Sequence, residues 1–213
     1  MRVNAKKRNH SRMAKLVFRY GAMNSGKSTA LLQVAHNYEE RGQSVLLLKP
    51  STDTKGADSI VSRLGVRRPV DILVSPEDDL RSCVSAWLPE PSRSEAASLA
   101  CVLIDEAQFL SADQVDQALA IAVLENISVL AFGIRTDFKT QSFPGSQRLL
   151  EVAHSLEEMK TICRCGQKAI FNGRFGADGL EREGSQVMID GPAIKYEALC
   201  GRCYLLGGGK ESD

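Results

Sequence analysis

Residues Gly21-Ala22-Met23-Asn24-Ser25-Gly26-Lys27-Ser28 have the form G-x-x-x-x-G-K-[ST] and follow the apolar-aromatic run Leu16–Tyr20. Such a loop works only between a strand and a helix, so it constrains the fold more than any other feature of the chain. Its glycines let the backbone curl so that successive N–H groups point inward. The helix that begins there adds the positive end of its dipole. In this motif the lysine, Lys27, reaches the β- and γ-phosphates of a nucleoside triphosphate. The hydroxyl of Ser28 becomes a ligand of the Mg²⁺ that bridges them.

The flanking sequence supplies the required context. Residues 29–40 read as a helix with Leu31, Leu32, Val34 and Ala35 apolar, and Gly42 is placed as its C-terminal cap. A second strand is expected at 45–48, which gives the β-α-β order of a parallel sheet with helices on its faces. Residues 51–65 are polar and glycine-bearing and read as a loop. Residues 70–74 read as a strand, 78–87 as a helix and 88–94 as a surface connection. The uninterrupted apolar run 101–104 reads as a buried parallel strand. Ser111 and Asp113 are N-cap candidates for a helix reaching about Glu125, and 127–133 reads as another strand.

The run 101–104 ends in Asp105-Glu106. In phosphate-loop enzymes an aspartate at the carboxyl end of a buried strand holds Mg²⁺, and Asp105 stands there. Glu106 is then free to point at an acceptor hydroxyl or water and to take its proton. Spacing alone equally allows Glu106 to be a surface residue or the first residue of a helix.

Of six cysteines, Cys83 and Cys101 lie in apolar surroundings and read as small core residues. The others form two close pairs, Cys163-Arg164-Cys165 and Cys200-Gly201-Arg202-Cys203. Two such pairs supply the four thiolates of a tetrahedral Zn²⁺ site, closed and therefore structural. A disulfide framework is disfavoured, because a chain with an ATP motif and no signal peptide belongs in a reducing compartment. His10, His36 and His154 lie outside both pairs.

A length of 213 residues and a net charge of +1 fit one main domain with a small satellite. No apolar stretch is long enough to span a bilayer, and residues 1–15 carry basic side chains without an apolar core, so a cytoplasmic protein is expected. That basic start reads as a solvated tail, with Met13 as an alternative first residue. The balanced charge elsewhere speaks against a nucleic-acid-binding surface.

Four motifs in order, Gly21 to Thr29, Ile104-Asp105-Glu106-Ala107-Gln108-Phe109, Gly133-Ile134-Arg135-Thr136-Asp137-Phe138, and the cysteine pairs ending in Cys203-Tyr204, together resemble type II thymidine kinases, most closely the bacterial ones. The resemblance runs from about Met13 to Tyr204. It implies transfer of the ATP γ-phosphate to the 5′-hydroxyl of thymidine, with Glu106 as the catalytic base. Gly21, Ala22, Met23, Asn24, Ser25, Gly26, Lys27, Ser28, Asp105, Glu106, Ala107 and Gln108 are expected on the ATP and Mg²⁺ side. Met23, Phe109, Ile134 and Phe138 are expected as apolar walls for thymidine, with Tyr196 beside the base or sugar. Cys163, Cys165, Cys200 and Cys203 are expected to hold Zn²⁺.

The implied fold is α/β, a parallel-sheet P-loop NTPase core of RecA-like type with a small C-terminal zinc-binding domain. That domain carries a lasso loop, here residues 186–196. The expected division is a basic tail at 1–12, an ATP-binding domain at 13–156, a zinc-binding nucleoside-lid domain at 157–206 and a tail at 207–213. Lys55 and Arg63 are alternative cations for the transferring phosphate. A homotetramer inhibited by thymidine triphosphate is also implied. Two other functions fit the phosphate loop: an ATPase or regulatory switch with a zinc interaction module, and a kinase for another nucleoside or small alcohol. Mixed charge from Phe171 to Tyr204 argues against the first, and the lasso with the cysteine pattern against the second.

Overall fold

The computed structural model describes residues 13–53, 58–88, 99–186 and 194–207. The expected basic tail, Lys55, the connection 89–98, most of the lasso segment and all of the C-terminal tail after Gly207 lie outside the described residues.

The chain runs β1 Leu16–Tyr20, α1 Lys27–Glu39, β2 Ser44–Pro50, β3 Ser59–Val61, β4 Arg67–Pro69, β5 Ile72–Val74, α2 Leu80–Trp87 and β6 Leu99–Ile104. After a single 3-10 turn, Ala107–Phe109, follow α3 Ala112–Leu124, β7 Ser128–Gly133, α4 Pro144–Val152 and β8 Ser155–Glu158. The last part contains β9 Thr161–Ile162, β10 Lys168–Ala169, β11 Phe171–Gly176, β12 Gly179–Glu181, β13 Lys195–Leu199 and the short α5 Gly201–Leu205.

Six strands form one sheet in the order β5-β2-β6-β7-β1-β8, and every pairing is parallel. Parallel strands need a crossover between them, and the helices that supply it cover both faces. On one face Leu31 and Ala35 of α1 pack on Val45, Leu47, Leu103 and Phe132. On the other, Val84 of α2, Val115 and Ala118 of α3 and Leu149 of α4 pack on Leu46, Leu48, Val102, Ile104 and Val129. Alternate residues of β2 therefore face opposite sides, which is why this strand has no polar position between Val45 and Leu48.

Local chemistry explains most element ends. Ser111 accepts from the backbone of Gln114 at 3.1 Å while the Gln114 side chain accepts from the backbone of Ser111 at 3.1 Å, a reciprocal capping box. Ser111, not Asp113, is thus the N-cap of α3. Asp79 caps α2 by accepting from Ser82 N–H at 2.7 Å. Helix α1 begins at Lys27, two residues before the expected start, and its last residue is followed by Glu40, with Gly42 left-handed two positions further on. The segment 51–65, expected as loop, contains β3, which pairs antiparallel with β4. Strand β8 pairs with β1, so the large sheet continues to Glu158.

Beyond it, β12-β11-β13 form a three-stranded antiparallel sheet beside the β9–β10 hairpin. Cys163, Ala169, Leu199, Cys200, Cys203 and Tyr204 make a third small core. It contains few aliphatic side chains, so apolar burial alone gives it little stability.

Candidate functional site

Residues 21–28 follow β1 and meet the carboxyl ends of β6 and β7, with Gly21 N–H donating to Gly133 O at 3.3 Å and Ser28 reaching Asp105. Gly21 has no space for a side chain, since a Cβ there would stand 2.5 Å from Met159 O. Asn24 and Gly26 take left-handed backbone, at φ 67° and 81°. No side chain caps α1, which leaves its first N–H groups for an anion. Lys27 is buried, with Nζ donating to Ala22 O at 3.2 Å, and the Ser25 hydroxyl is buried without a hydrogen-bond partner among the described residues. A curled backbone, a helix start and a held ammonium form a cradle for a polyanion.

The Ser28 hydroxyl donates to Asp105 Oδ2 at 3.4 Å. Asp105 is buried, and its Oδ1 has no hydrogen-bond partner among the described residues. Burial, and next the charge of Glu106, push its carboxyl up to about 7 against the pull of the Glu106 N–H and of Lys27. A buried carboxylate with an orphan oxygen beside a serine hydroxyl is a donor set suited to a hard divalent cation. Cation charge would bring the carboxyl back to its ionised form.

Glu106 departs from the sheet in left-handed backbone, φ 47°, ψ 41°, an uncommon conformation for a residue with a side chain. Its carboxylate Oε2 accepts from Gln108 Nε2 at 2.6 Å. The same Gln108 side chain, almost fully buried, accepts through Oε1 from Ile134 N–H at 3.2 Å. Ile134 O accepts in turn from the Ser146 hydroxyl at 2.6 Å. Both backbone groups of Ile134 are therefore fixed by side chains, and Glu106 is tied to the end of β7 through one amide. Ala107 is buried in the turn between Glu106 and Gln108.

The residues expected as apolar walls occupy distinct places. Met23 is half-buried, and its N–H donates to Asn172 Oδ1 of β11 at 2.7 Å. Asn172 Nδ2 donates to Thr136 O at 2.7 Å, so this one side chain joins the glycine loop to the segment after β7. The Phe109 ring meets Phe143 edge-on at 5.4 Å. Phe138 is buried beneath the Arg174 guanidinium, and Tyr196 is half-buried on β13 in register with Arg174. Arg63 lines a cavity of about 570 Å³ together with Met23, Asn24, Lys27 and Leu64.

Sequence reasoning missed Lys49, Ser146, Asn172 and Arg174. Lys49 is the next-to-last residue of β2 and is buried with Nζ 2.9 Å from Asp53 Oδ2. A lysine at the end of an apolar run followed four residues later by an aspartate was the available signal.

Cys163, Cys165, Cys200 and Cys203 converge, with all four sulfurs within 4.8 Å of one another and Cys165 Sγ 3.6 Å from Cys200 Sγ. A tetrahedral site with metal–sulfur bonds of about 2.3 Å places its sulfurs roughly 3.8 Å apart, so the cluster can hold a metal with little movement. Burial alone raises the Cys163 thiol, but N–H groups of Cys165 and Cys200 and bonds from the Cys203 and Cys165 thiols outweigh it, bringing it to about 7. Cys203 is pushed up to about 12 because it shares its proton first with Cys165 and then with Cys163.

Residues 14–204 match the family model described as thymidine kinase. A thymidine kinase of Chromobacterium violaceum is 45% identical over 194 residues, covering 90% of this chain and 98% of the relative. One of Idiomarina loihiensis is 49% identical over 190 residues, 88% of this chain and 94% of the relative. One of Enterobacteria phage T4 is 44% identical over 191 residues, 88% and 94% respectively.

Proposed function

The chain belongs to the thymidine kinase family, and on that premise we propose that it transfers the γ-phosphoryl group of ATP to the 5′-hydroxyl of thymidine. The observation that carries the reading is the meeting of Ser28 with Asp105, one residue from Glu106, at the mouth of the glycine loop. Phosphoryl transfer needs a polyanion cradle, a cation site and a proton acceptor within one small space, and these three features supply them.

In this reading residues 13–156 form a P-loop NTPase core. The N–H groups of Gly21 to Ser28 and the Lys27 ammonium bind the phosphates. Ser28 and Asp105 would hold Mg²⁺, which when bound would neutralise phosphate charge. Glu106 accepts the proton of the thymidine 5′-hydroxyl as that oxygen bonds to the γ-phosphorus. The bond from the γ-phosphorus to the bridging oxygen breaks, its electron pair leaves with ADP, and protonated Glu106 returns its proton to solvent. Gln108 aims the base by donating to its carboxylate, a role different from the nucleotide contact its motif suggests. Met23, Phe109, Ile134 and Phe138 wall the nucleoside, and Tyr196 stands beside it.

Residues 157–206 then form the nucleoside-facing module, with 186–196 as its lasso and the four cysteines holding Zn²⁺ as thiolates. Zinc there is structural, because four protein ligands leave no open position. A lasso of backbone donors and acceptors selects the pyrimidine edge, since another base leaves buried groups unpaired. Incubation with ATP, Mg²⁺ and thymidine, deoxycytidine or deoxyadenosine tests the reading. Thymidine monophosphate as the main product supports it, and ATP hydrolysis without any nucleotide monophosphate refutes it in favour of a switch.

A further inference from the structure

Strand β11 turns Asn172 and Arg174, two residues apart, toward the same side. Arg174 is the largest fully buried side chain among the described residues. A guanidinium can never shed its charge, so burying it requires partners for its donors. It has them on every side. Nε donates to the Glu181 carboxylate, Nη1 to Ser185 O at 2.8 Å and Nη2 to Glu183 O at 2.9 Å. The face of the plane covers the Phe138 ring, with Cζ 3.5 Å from the ring centroid.

Phe138 is held through its backbone as well. Its carbonyl accepts from the Tyr204 hydroxyl at 2.7 Å, and the neighbouring Lys139 donates to Gly184 O at 2.9 Å. Arg174 thus fastens residues 181–185 to a ring that the proposed reading makes a wall of the nucleoside site.

We propose that Arg174 is a positioning residue for nucleoside binding, acting through Phe138. This rests on the kinase reading given above. The planar fork is what the place demands: it stacks on the ring with its face while donating in its own plane to three acceptors. A lysine would offer a point charge that cannot do both. Gly184 is built to the same requirement. Its φ of +113° excludes ordinary side chains, and a Cβ there would stand 2.5 Å from Arg174 Nη2.

A residue that merely stabilised the module would lower thermal stability and affect both substrates alike. A positioning role separates them. In the zinc-loaded full-length protein, Arg174→Met is expected to raise KM for thymidine by about tenfold or more and to leave KM for ATP within about twofold. Arg174→Lys is expected to recover less than half of that loss on a logarithmic scale. Gly184→Ala, which presses on the guanidinium without removing it, is expected to raise the thymidine KM about three- to tenfold, and it serves if Arg174→Met fails to fold. Because the effect passes through the ring, Arg174→Met combined with Phe138→Leu should raise KM by clearly less than the product of the single effects.

An unchanged thymidine KM in a folded, zinc-containing Arg174→Met or Gly184→Ala protein overturns the inference, as does a parallel rise for both substrates. Wild type measured alongside keeps the two readings apart. If wild type itself makes no thymidine monophosphate, the kinase reading fails first.

Discussion

The hydroxyl of Ser28 donates to Asp105 Oδ2 across 3.4 Å, joining residues 77 positions apart, one in the first turn of α1 and one just past the end of β6. In the ligand-free protein this carboxyl is an expensive neighbour. Burial first, and the Glu106 charge next, lift it to about 7 from the ordinary carboxylate range. A folded-state value above the unfolded one means full stability below pH about 4 and a progressive loss as pH rises to about 7. Asp105→Asn should therefore unfold at a higher temperature than wild type at pH 8 and close to wild type near pH 4, when neither holds ATP or Mg²⁺. The gain at pH 8 should be on the order of 2 kcal/mol or more. The same variant should lose at least about a hundredfold in kcat. Melting curves at the two pH values check the first part, and parallel curves for the two proteins would contradict it.

Gln108 spans from the Glu106 carboxylate to the Ile134 N–H, at 2.6 Å and 3.2 Å. Gln108→Leu leaves that N–H buried and unpaired and releases the carboxylate. Loss of about 1–3 kcal/mol of stability is expected, together with a fall in kcat of about ten- to a hundredfold. Denaturant unfolding and steady-state kinetics on one preparation measure both. A loss of stability with kcat intact would show that the amide braces the turn without aiming the base.

The four cysteine sulfurs lie within 4.8 Å of one another and form the centre of a module with few apolar residues. Metal analysis should find one zinc per chain, and Cys203→Ser should lose most of it. Without zinc, proteolysis should cut first between residues 160 and 204, since metal binding in such modules is folding free energy. Uniform digestion of the whole chain would contradict this.

The parts of the fold that were legible in the sequence are those written locally. The glycine loop has fixed spacing, β6 has unbroken apolar character, and Ser111, one of the two N-cap candidates, stands directly before α3. The hairpin of β3 and β4 was hidden because its strands have three residues each and β4 is charged and largely exposed. Lys49 follows the expected strand 45–48, and its burial is not written in that strand, since the Asp53 carboxylate that pairs with it lies in the next loop. Asn172 meets Met23 across 149 positions, and Arg174 lies in a strand of a module whose strands run two to six residues. No period of the local sequence marks a polar residue as a junction when its partners lie that far away.

In the proposed reading the reaction turns on Glu106, held in left-handed backbone at φ 47° next to Asp105. Glu106→Gln keeps the side chain's size and removes only its ability to take a proton. Thymidine monophosphate formation should be followed for wild type and Glu106→Gln side by side, with saturating ATP and Mg²⁺. A fall in kcat of about 10²–10⁴, with KM for ATP within about twofold, is the expected result. A variant that phosphorylates thymidine within about tenfold of wild type would remove Glu106 as the base and with it the central claim.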